Sequence, residues 1–443
     1  MTRVLILALL ILSPLAEAQI LPGAPLPPLP GGLSGALPGN LGTGAGLAAL
    51  TRRPARELTA EAKRVENARK LRIRNLLRRH ADVLEADPDG DPIVRGQVLA
   101  FSPTDAALAR ALAAGFSVLR DRALVPLGMR IVSLAVPRGT STPRALRLLR
   151  RLDPRGTYAF NNIYMQSGGR GAGVPPDRQR AAHVGEGAGG DGLLGLIDGG
   201  VGTSQPVFRG SVIHRHGCGG RVVPSTHGTE VASLMVGRSR QFGGAAPGAT
   251  LYAADVYCGK PTGGSVEAVA EAFAWLVGRR VAVINISLVG PPNALLRRVV
   301  ERVVARGSLI VAAVGNDGPA APPLYPAAYP GVVGVTAVDA RRRVIFEAER
   351  GPQVTFAAPG ADIMAATVPA GFAEVRGTSF AAPLVAGLLA ARLGSPNPVA
   401  ARRALAALAH EAIHLGAPGR NPVFGYGLVG ANLPAPEPAP GLE

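Results

Sequence analysis

Short apolar runs alternate with longer amphipathic segments over the second half of the chain, from about residue 190. The apolar runs have the length of buried strands, and the segments between them have the length and repeat of helices. The predicted strands are residues 193–197, 250–256, 281–287 and 308–314, and the predicted helices are residues 227–237, 265–277, 292–305 and 380–392. This alternation predicts an α/β fold with a parallel β-sheet covered by helices on both faces. Ligands bind such sheets at the carboxyl ends of the strands.

A different order of elements fills residues 91–165. The predicted strands are residues 93–101, 116–124, 127–136 and 157–160, and the predicted helices are residues 103–115 and 142–152. The order β-α-β-β-α-β is that of a small ferredoxin-like α+β domain. A cluster of Asp, Pro and Gly at residues 87–92 marks its beginning, and residues 166–190 form a Gly-rich linker that a protease can cut.

The chain begins with the features of a secretory signal. Arg3 precedes an apolar run over residues 4–12, and Ala16 and Ala18 form an A-x-A cleavage site. We therefore predict a signal peptide over residues 1–18 and a secreted or periplasmic protein. A membrane-spanning helix needs about 20 apolar residues, and this run and every later one are too short, so no transmembrane segment is predicted.

Four further segments complete the predicted organisation of the chain. Residues 19–53 are rich in Pro and Gly and read as a linker, and residues 54–88 read as a basic amphipathic helical segment. Residues 191–432 hold the parallel-sheet domain, and residues 433–443 form a Pro-rich tail.

Positive charge is concentrated upstream. The chain has a net charge of +17, and residues 1–169 hold 23 Lys and Arg against 12 Asp and Glu, which is +11 and leaves +6 for the remainder. Nearly all of these cations are Arg, and aromatic residues make up only 4% of the chain. A solvated basic surface is therefore favoured over a nucleic-acid-binding one. Binding of residues 52–84 to an anionic surface is a further hypothesis.

Two cysteines occur, Cys218 and Cys258. An even pair in an exported chain favours one disulfide, although two separate thiols are the alternative. Closing a loop of about 40 residues would contribute about 4 kcal/mol in the chain-entropy model. No C-x-x-C motif or clustered His accompanies them, so no metal site is predicted there.

Four polar residues lie where a parallel sheet would bring chemistry together. Asp198 ends a predicted strand, Asn316 follows another, and His227 and Ser379 begin helices. A serine hydroxyl becomes a nucleophile when an imidazole takes its proton and a carboxylate orients that imidazole. Each residue alone has an ordinary structural explanation as a turn residue or a helix cap.

The flanking sequences add specificity. The motifs are Leu-Ile-Asp-Gly-Gly at residues 196–200, His-Gly-Thr-Glu-Val-Ala at 227–232, Val-Ala-Ala-Val-Gly-Asn at 311–316 and Gly-Thr-Ser-Phe-Ala-Ala-Pro at 377–383. In the chain order Asp, His, Ser, they resemble the subtilisin-like serine proteases, the subtilase family, over about residues 190–430. The resemblance implies a serine endopeptidase with Asp198 as the orienting acid, His227 as general base and Ser379 as nucleophile. Asn316 would donate to the oxyanion beside the Ser379 N–H.

The same resemblance implies how substrate and precursor are arranged. The edge that pairs with an extended peptide or protein substrate would comprise Ser287, Leu288, Val289 and Gly290. Together with Ala313, Val314 and Gly315, this edge would form the wall of the pocket for the residue before the cut. The ferredoxin-like domain resembles a subtilase propeptide, which would act as an intramolecular inhibitor until self-cleavage within about residues 164–190. A monomer with no cofactor is expected; calcium is compatible with the family, but no site for it is identified in the sequence.

One departure from the family pattern leaves a competing hypothesis. Gly199 follows the acid where Ser or Thr is usual in the family, which removes a local hydrogen bond and would loosen Asp198. A catalytically silent subtilase fold that serves as a binding protein is therefore the alternative function.

Overall fold

The computed structural model describes residues 55–167, 192–238 and 243–432. The predicted signal peptide, the linker of residues 19–53, most of the linker of residues 166–190 and the Pro-rich tail lie outside these residues. Within the described ranges, no helix has both the length and the apolar character needed to cross a membrane.

The N-terminal part of the described chain consists of one long helix followed by an α+β unit. Its helices are α1 (Ala55–Arg79), α2 (Asp105–Ala113) and α3 (Thr142–Leu152), and its strands are β1 (Leu84–Ala86), β2 (Pro92–Phe101), β3 (Ser117–Leu124), β4 (Met129–Ala135) and β5 (Thr157–Gln166). Strands β5, β2, β4 and β3 are neighbours in that order, and all of them pair antiparallel. This is the ferredoxin-like arrangement that the sequence predicts.

Alternate residues of β2 pack into two different hydrophobic cores. Val98 lies in a core with Leu134 and with Leu149 of α3. Leu99 belongs to the core that the α+β unit shares with the rest of the chain. Successive side chains of a strand point to opposite faces, so the small sheet is covered on both of them.

The C-terminal part of helix α1 packs against the small sheet. Leu76 forms a small cluster with Leu84 of β1 and Ile163 of β5. Leu71, which the helical pattern places on the apolar face, is 50% exposed. Leu71 therefore does not lie on the buried face of the helix, although the helical pattern places it there.

The part of the chain from residue 192 contains the large sheet. The strands of this part of the chain are β6 (Leu193–Asp198), β7 (Ile213–Gly217), β8 (Thr250–Asp255), β9 (Gly264–Ser265), β10 (Val283–Ile286), β11 (Leu288–Val289), β12 (Leu309–Ala313), β13 (Val332–Val338), β14 (Val354–Pro359), β15 (Ile363–Ala366) and β16 (Phe372–Val375). Its helices are α4 (Thr226–Val236), α5 (Val266–Gly278), α6 (Ala294–Ala305), α7 (Thr378–Ala390) and α8 (Pro398–Glu411).

Seven of these strands form a parallel sheet between two helical layers. Its order is β14, β13, β12, β10, β6, β8 and β7, and every pairing in it is parallel. Leu196 of β6 packs in the core with residues of α4, α7 and α8. Its neighbour Ile197 packs in the core with residues of α5 and α6. The predicted fold class is confirmed, and both faces of the sheet are buried as parallel sheets require.

Several elements lie where the sequence analysis predicts none, namely β7, β13, β14, the antiparallel hairpin of β15 and β16, and α8. Strand β7 shows one physical reason. Its residues read Ile-His-Arg-His-Gly, and it lies at the edge of the sheet with three exposed positions. An edge strand buries little of its surface, so its sequence lacks the apolar run by which buried strands are recognised.

Strand β5 is six residues longer than the predicted strand of residues 157–160. Its C-terminal half pairs antiparallel with β9 and then with β11, both from the large domain. Partners that lie more than 90 residues away in the sequence therefore hold residues 163–166 extended. The strand ends next to Ser167, at the carboxyl edge of the large sheet.

Candidate active site

The four polar residues singled out in the sequence come from elements that meet at one edge of the parallel sheet. Asp198 is the last residue of β6, and Asn316 follows β12. His227 and Ser379 are each the second residue of a helix, α4 and α7. Asp198 and Ser379 are fully buried, and His227 is 6% exposed. Carboxyl ends of parallel strands lie together, so the fold brings these side chains to one place.

Asp198 and His227 interact directly. His227 Nδ1 lies 3.0 Å from both carboxylate oxygens of Asp198. The Gly199 N–H donates to Asp198 Oδ1 at 2.6 Å, which fixes the carboxylate. With its Nδ1 proton directed to Asp198, the imidazole leaves Nε2 free to accept a proton.

The pKa of His227 is set by two opposing effects. Burial by itself lowers the pKa of the imidazole, because the charged form loses its hydration. The charge and hydrogen bond of Asp198, with a smaller contribution from the charge of Glu230, outweigh burial and raise the pKa above its usual value. His227 is thus a stronger base than an isolated imidazole.

Removing the Asp198 charge should reverse this balance. In Asp198→Asn the lowering effect of burial is opposed only by the smaller effect of the Glu230 charge, so the pKa of His227 should fall. NMR titration of the His227 ring in both proteins measures the change, with Asp362→Asn as a control that removes an exposed carboxylate. An unchanged midpoint in Asp198→Asn would show that Asp198 does not control the imidazole.

The glycine after the acid has a structural explanation. A Cβ atom on Gly199 would lie 2.3 Å from Ser225 Oγ, so a larger residue does not fit there. Ser225 is the N-cap of α4, and its hydroxyl accepts from the Gly228 N–H at 3.0 Å. A serine from the neighbouring segment therefore fills the space beside Asp198. The sequence analysis expects a looser Asp198, whereas the structure shows its carboxylate bonded to Gly199 and His227.

The side-chain hydroxyl of Ser379 has no fixed partner among the described residues. Ser379 Oγ and His227 Nε2 are both buried, and neither has a hydrogen-bond partner among the described residues. The ring of Phe380, the next residue of α7, lies 5.4 Å from the His227 ring. An unpartnered hydroxyl and an unpartnered ring nitrogen are the groups that a proton transfer from serine to histidine requires.

The backbone of Ser379 is held by Ser287. Helix α7 begins at Thr378, so Pro383 lies in its second turn. Proline has no N–H, and the Ser379 carbonyl therefore lacks the helical donor four residues later. The Ser287 hydroxyl supplies the missing bond at 3.0 Å, and it accepts in turn from Asn285 Nδ2.

Loss of this hydroxyl should weaken the start of α7. In Ser287→Ala the buried Ser379 carbonyl has no donor, which should lower the free energy of unfolding by about 1–3 kcal/mol. Chemical denaturation of the full-length chain measures the difference, and Ser395→Ala, at an exposed position, is the matched control. Equal stability of Ser287→Ala and the control would contradict this interpretation.

The end of β5 enters the site as an extended peptide. Met165 and Gln166 pair antiparallel with Val289 and Leu288 of β11, and the Ser167 N–H donates to the Ser287 carbonyl at 3.2 Å. The chain of residues 165–167 thus lies along the edge that the resemblance assigns to substrate. Such pairing is the β-strand addition by which extended peptides bind sheet edges.

The Ser167 carbonyl lies at the start of α7. Its oxygen accepts from the Ser379 N–H at 3.1 Å. Asn316 Nδ2 donates to Ser167 Oγ at 3.1 Å, and Thr378 Oγ1 lies 3.1 Å from the same hydroxyl. Asn316 is itself fixed, because its Oδ1 accepts from the Thr378 N–H at 3.1 Å. A peptide carbonyl at a helix N-terminus is placed where developing negative charge is stabilised.

The remaining predicted substrate residues lie near this peptide in different roles. Gly290 pairs through its backbone with Tyr325, and a Cβ on it would touch the Tyr164 ring at 2.8 Å. The side chains of Ala313 and Val314 belong to the two hydrophobic cores. The Gly315 N–H donates to Thr378 Oγ1 at 3.3 Å.

The residues of this region that the sequence analysis does not single out are Ser167, Ser225 and Thr378. Thr378 lies within the Gly-Thr-Ser motif, directly before Ser379, so the sequence could have identified it as a site residue. Ser167 and Ser225 belong to no motif, and only their spatial neighbours identify them.

The two cysteines form the predicted disulfide, with their Cα atoms 5.2 Å apart. Both sulfur atoms lie 3.8 Å from the backbone carbonyl oxygen of Asp255. Asp255 ends β8 and is the register partner of Asp198 at the end of the neighbouring strand β6. Cys218, Cys258 and Asp255 form the one group of three acidic, His or Cys side chains in the described residues that lie close enough to share a metal ion. Both thiols are used in the disulfide, and calcium requires oxygen ligands, so this group does not fit calcium.

Removal of the disulfide should destabilise the domain. The bond closes a loop with a sequence separation of 40 residues. Replacement of both cysteines by Ser should therefore lower the free energy of unfolding by about 4 kcal/mol. Urea denaturation of both proteins without reductant tests this, and a loss within experimental error of zero would be inconsistent with the expected effect.

The sequence of the chain is similar to those of known proteases. A model of the subtilase family of peptidases matches residues 191–427. The minor extracellular protease Epr of Bacillus subtilis (strain 168) is 32% identical over 207 residues, which are 46% of this chain and 32% of Epr. Subtilisin Savinase of Lederbergia lenta is 36% identical over 175 residues, 39% of this chain and 64% of that protein. The chain thus spans between about a third and just under two thirds of these relatives.

A solved structure extends the comparison to the fold. The crystal structure of fervidolysin from Fervidobacterium pennivorans, described as a keratinolytic enzyme related to subtilisin, has a TM-score of 0.63 and 20% sequence identity. It covers 78% of this chain, and the match covers 62% of fervidolysin. At this identity the similarity concerns the fold alone.

Proposed function

The chain belongs to the subtilase family, and from that premise we propose that it is a secreted serine endopeptidase made as a self-processed precursor. Asp198, His227 and Ser379 act as the catalytic triad, and Asn316 assists as an oxyanion donor. Protein or peptide substrates bind as extended strands along β11.

One observation carries this proposal. The chain's own residues 165–167 lie along β11 with the Ser167 carbonyl oxygen 3.1 Å from the Ser379 N–H. A peptide carbonyl therefore already accepts a hydrogen bond from the backbone of the proposed nucleophile. The buried and unpartnered Ser379 Oγ and His227 Nε2 supply the nucleophile and the base that attack on this carbonyl requires.

The reaction follows from the roles of these groups. Ser379 Oγ attacks the carbonyl carbon while His227 Nε2 takes its proton, and Asp198 stabilises the imidazolium that forms. The oxyanion accepts from the Ser379 N–H, and Asn316 Nδ2 turns to it from the Ser167 hydroxyl. When the intermediate collapses, the C–N bond breaks and the amine leaves with the proton from His227. Water, deprotonated by His227, then hydrolyses the acyl-enzyme and regenerates Ser379.

The precursor arrangement is part of the proposal. Residues 91–165 form an N-terminal inhibitor domain, because β5 occupies the edge that a substrate would use. The position of the Ser167 carbonyl favours the bond between Ser167 and Gly168 as the one cut during maturation. This bond lies inside the predicted range for self-cleavage. The signal peptide of residues 1–18 then directs the mature enzyme, which we take to be a monomer, out of the cell or into the periplasm.

Replacement of the nucleophile tests activity and processing together. Full-length Ser379→Ala should remain uncut and should not hydrolyse casein, because no other group forms the acyl-enzyme. The wild-type chain and the exposed control Ser395→Ala should both yield a mature fragment that begins at Gly168. Intact mass and N-terminal sequencing identify the cut.

Two results would overturn the proposal. Processing and hydrolysis by Ser379→Ala at the wild-type rate would exclude Ser379 as nucleophile. A folded, processed wild-type protein that does not react with a fluorophosphonate probe would indicate a silent binding protein instead.

A further inference from the structure

A cavity of about 670 Å³ lies at the amino ends of β13 and β14. Its wall also includes residues of the loop 323–331, of α8 and of the segment 420–426. Asp198 and Asn316, in contrast, lie at or just after the carboxyl ends of their strands. The cavity is therefore separate from the proposed catalytic residues, and the proposed reaction gives it no role.

Aromatic side chains are concentrated in the wall of this cavity. Three of the chain's seven tyrosines line it, together with Phe356, and they are Tyr325, Tyr329 and Tyr426. The ring centroids of Tyr325 and Tyr329 lie 4.4 Å apart, and those of Phe356 and Tyr426 lie 5.9 Å apart. Tyr426 is 43% exposed, so its ring is open to a ligand. Grooves lined by aromatic rings are the sites at which Pro-rich peptides bind.

The wall also carries positive charge. Arg402 of α8 and Arg420 both line the cavity, and none of the described residues that line it is acidic. Arg420 donates to the carbonyls of Pro352 and Val354 at 2.7 and 3.0 Å, and its guanidinium lies 5.5 Å from the centre of the Tyr426 ring. Arg402 is exposed and has no ion pair with a described residue. Two cations without an acidic partner in the wall favour a ligand that carries negative charge.

The Pro-rich tail of this chain has the complementary composition. Residues 433–443 read Leu-Pro-Ala-Pro-Glu-Pro-Ala-Pro-Gly-Leu-Glu, with proline at every second position from 434 to 440. Glu437 and Glu443 are the charged residues of this segment, which contains no Lys or Arg. Closely spaced prolines favour the polyproline II conformation, so little conformational entropy is lost when such a segment binds.

The connection to the tail is short enough for it to reach the cavity. Tyr426 lines the cavity, and Val429 donates its N–H to the Ala357 carbonyl of β14 at 2.9 Å. Gly430 then has a φ of 73°, a left-handed conformation that turns the chain. Residue 432 lies at most about 20 Å from Tyr426, because six residues span no more than that when extended. Eleven residues in the polyproline II conformation span about 34 Å, which exceeds this distance.

We infer that residues 433–443 bind in this cavity of the same chain as a polyproline II segment. Their prolines pack on the exposed ring of Tyr426. The carboxylate of Glu437 pairs with Arg402. Burial of the prolines and the aromatic rings supplies most of the stabilisation, because an exposed ion pair contributes little and serves mainly to fix the position of the segment. The inference does not depend on the proposed function.

Photo-crosslinking in the full-length chain tests where the tail lies, with Ser379→Ala as the background that should remain uncut. The photoreactive residue p-benzoylphenylalanine in place of Ala406, an exposed residue of α8 that lines the cavity, should form crosslinks to residues 433–443 of the same chain. In place of Ala407, which is exposed on α8 but does not line the cavity, it should give a yield about tenfold or more lower, because only a bound segment is held at a high local concentration. Mass spectrometry of digests of the monomer identifies the crosslinked residues.

Three results of this experiment would overturn the inference. Equal crosslinking yields from positions 406 and 407 would show that the tail has no fixed place on α8. Crosslinks from position 406 to residues 19–53 would assign the cavity to the other Pro-rich segment of the chain. Crosslinks that join two chains, seen as a dimer by mass, would assign it to a second copy.

An exchange of charges tests the pairing of Glu437 with Arg402. Arg402→Glu and Glu437→Lys should each lower the crosslinking yield from position 406 about two- to fivefold, as the loss of an exposed ion pair implies. The double variant should recover the yield, because the pair forms again with its charges exchanged. Arg403→Glu, at a neighbouring exposed position of α8 outside the cavity, is the matched control and should have no effect. A double variant without recovery would overturn the assigned pairing.

Discussion

The site depends on the parallel direction of all seven strands in the large sheet. Strands β6, β10 and β12 end at the same edge, so Asp198 at the end of β6 lies in one small region with Ser287 and Asn316, which follow β10 and β12. Helices α4 and α7 begin at this edge as well, so their free N–H groups and positive ends point to it. The Ser379 N–H donates to the Ser167 carbonyl for this reason.

Burial at this edge leaves backbone groups that need hydrogen-bond partners and spaces that need side chains to fill them. Pro383 deprives the Ser379 carbonyl of a helical donor, and Ser287 supplies one. The space beside Asp198 is filled by Ser225, and Gly199 is the residue that leaves room for it. A buried polar group without a partner is costly, so these compensations hold the first residues of α4 and α7 in place.

Charge explains how the N-terminal segment is held on the domain. Three arginines upstream of Ser167 pair with acids downstream of it, in the pairs Arg69 with Asp317, Arg120 with Glu267 and Arg122 with Glu271. Glu267 is 4% exposed and also accepts from Ser133 Oγ at 2.5 Å. Part of the upstream positive charge, which the sequence analysis assigns to a solvated surface, is therefore paired with acids of the large domain.

The sequence by itself determined the α/β class, the ferredoxin-like order of elements, the four candidate site residues and the cysteine pair. These follow from local patterns, because strand and helix periods and residues at strand ends are read within short windows. Only the tertiary structure decided that residues 165–167 lie along β11, that Ser225 replaces the side chain missing at Gly199, and that Arg69 meets Asp317. Each of these contacts joins residues distant in the sequence, and their positions depend on how two sheets and their helices pack, which no local pattern records.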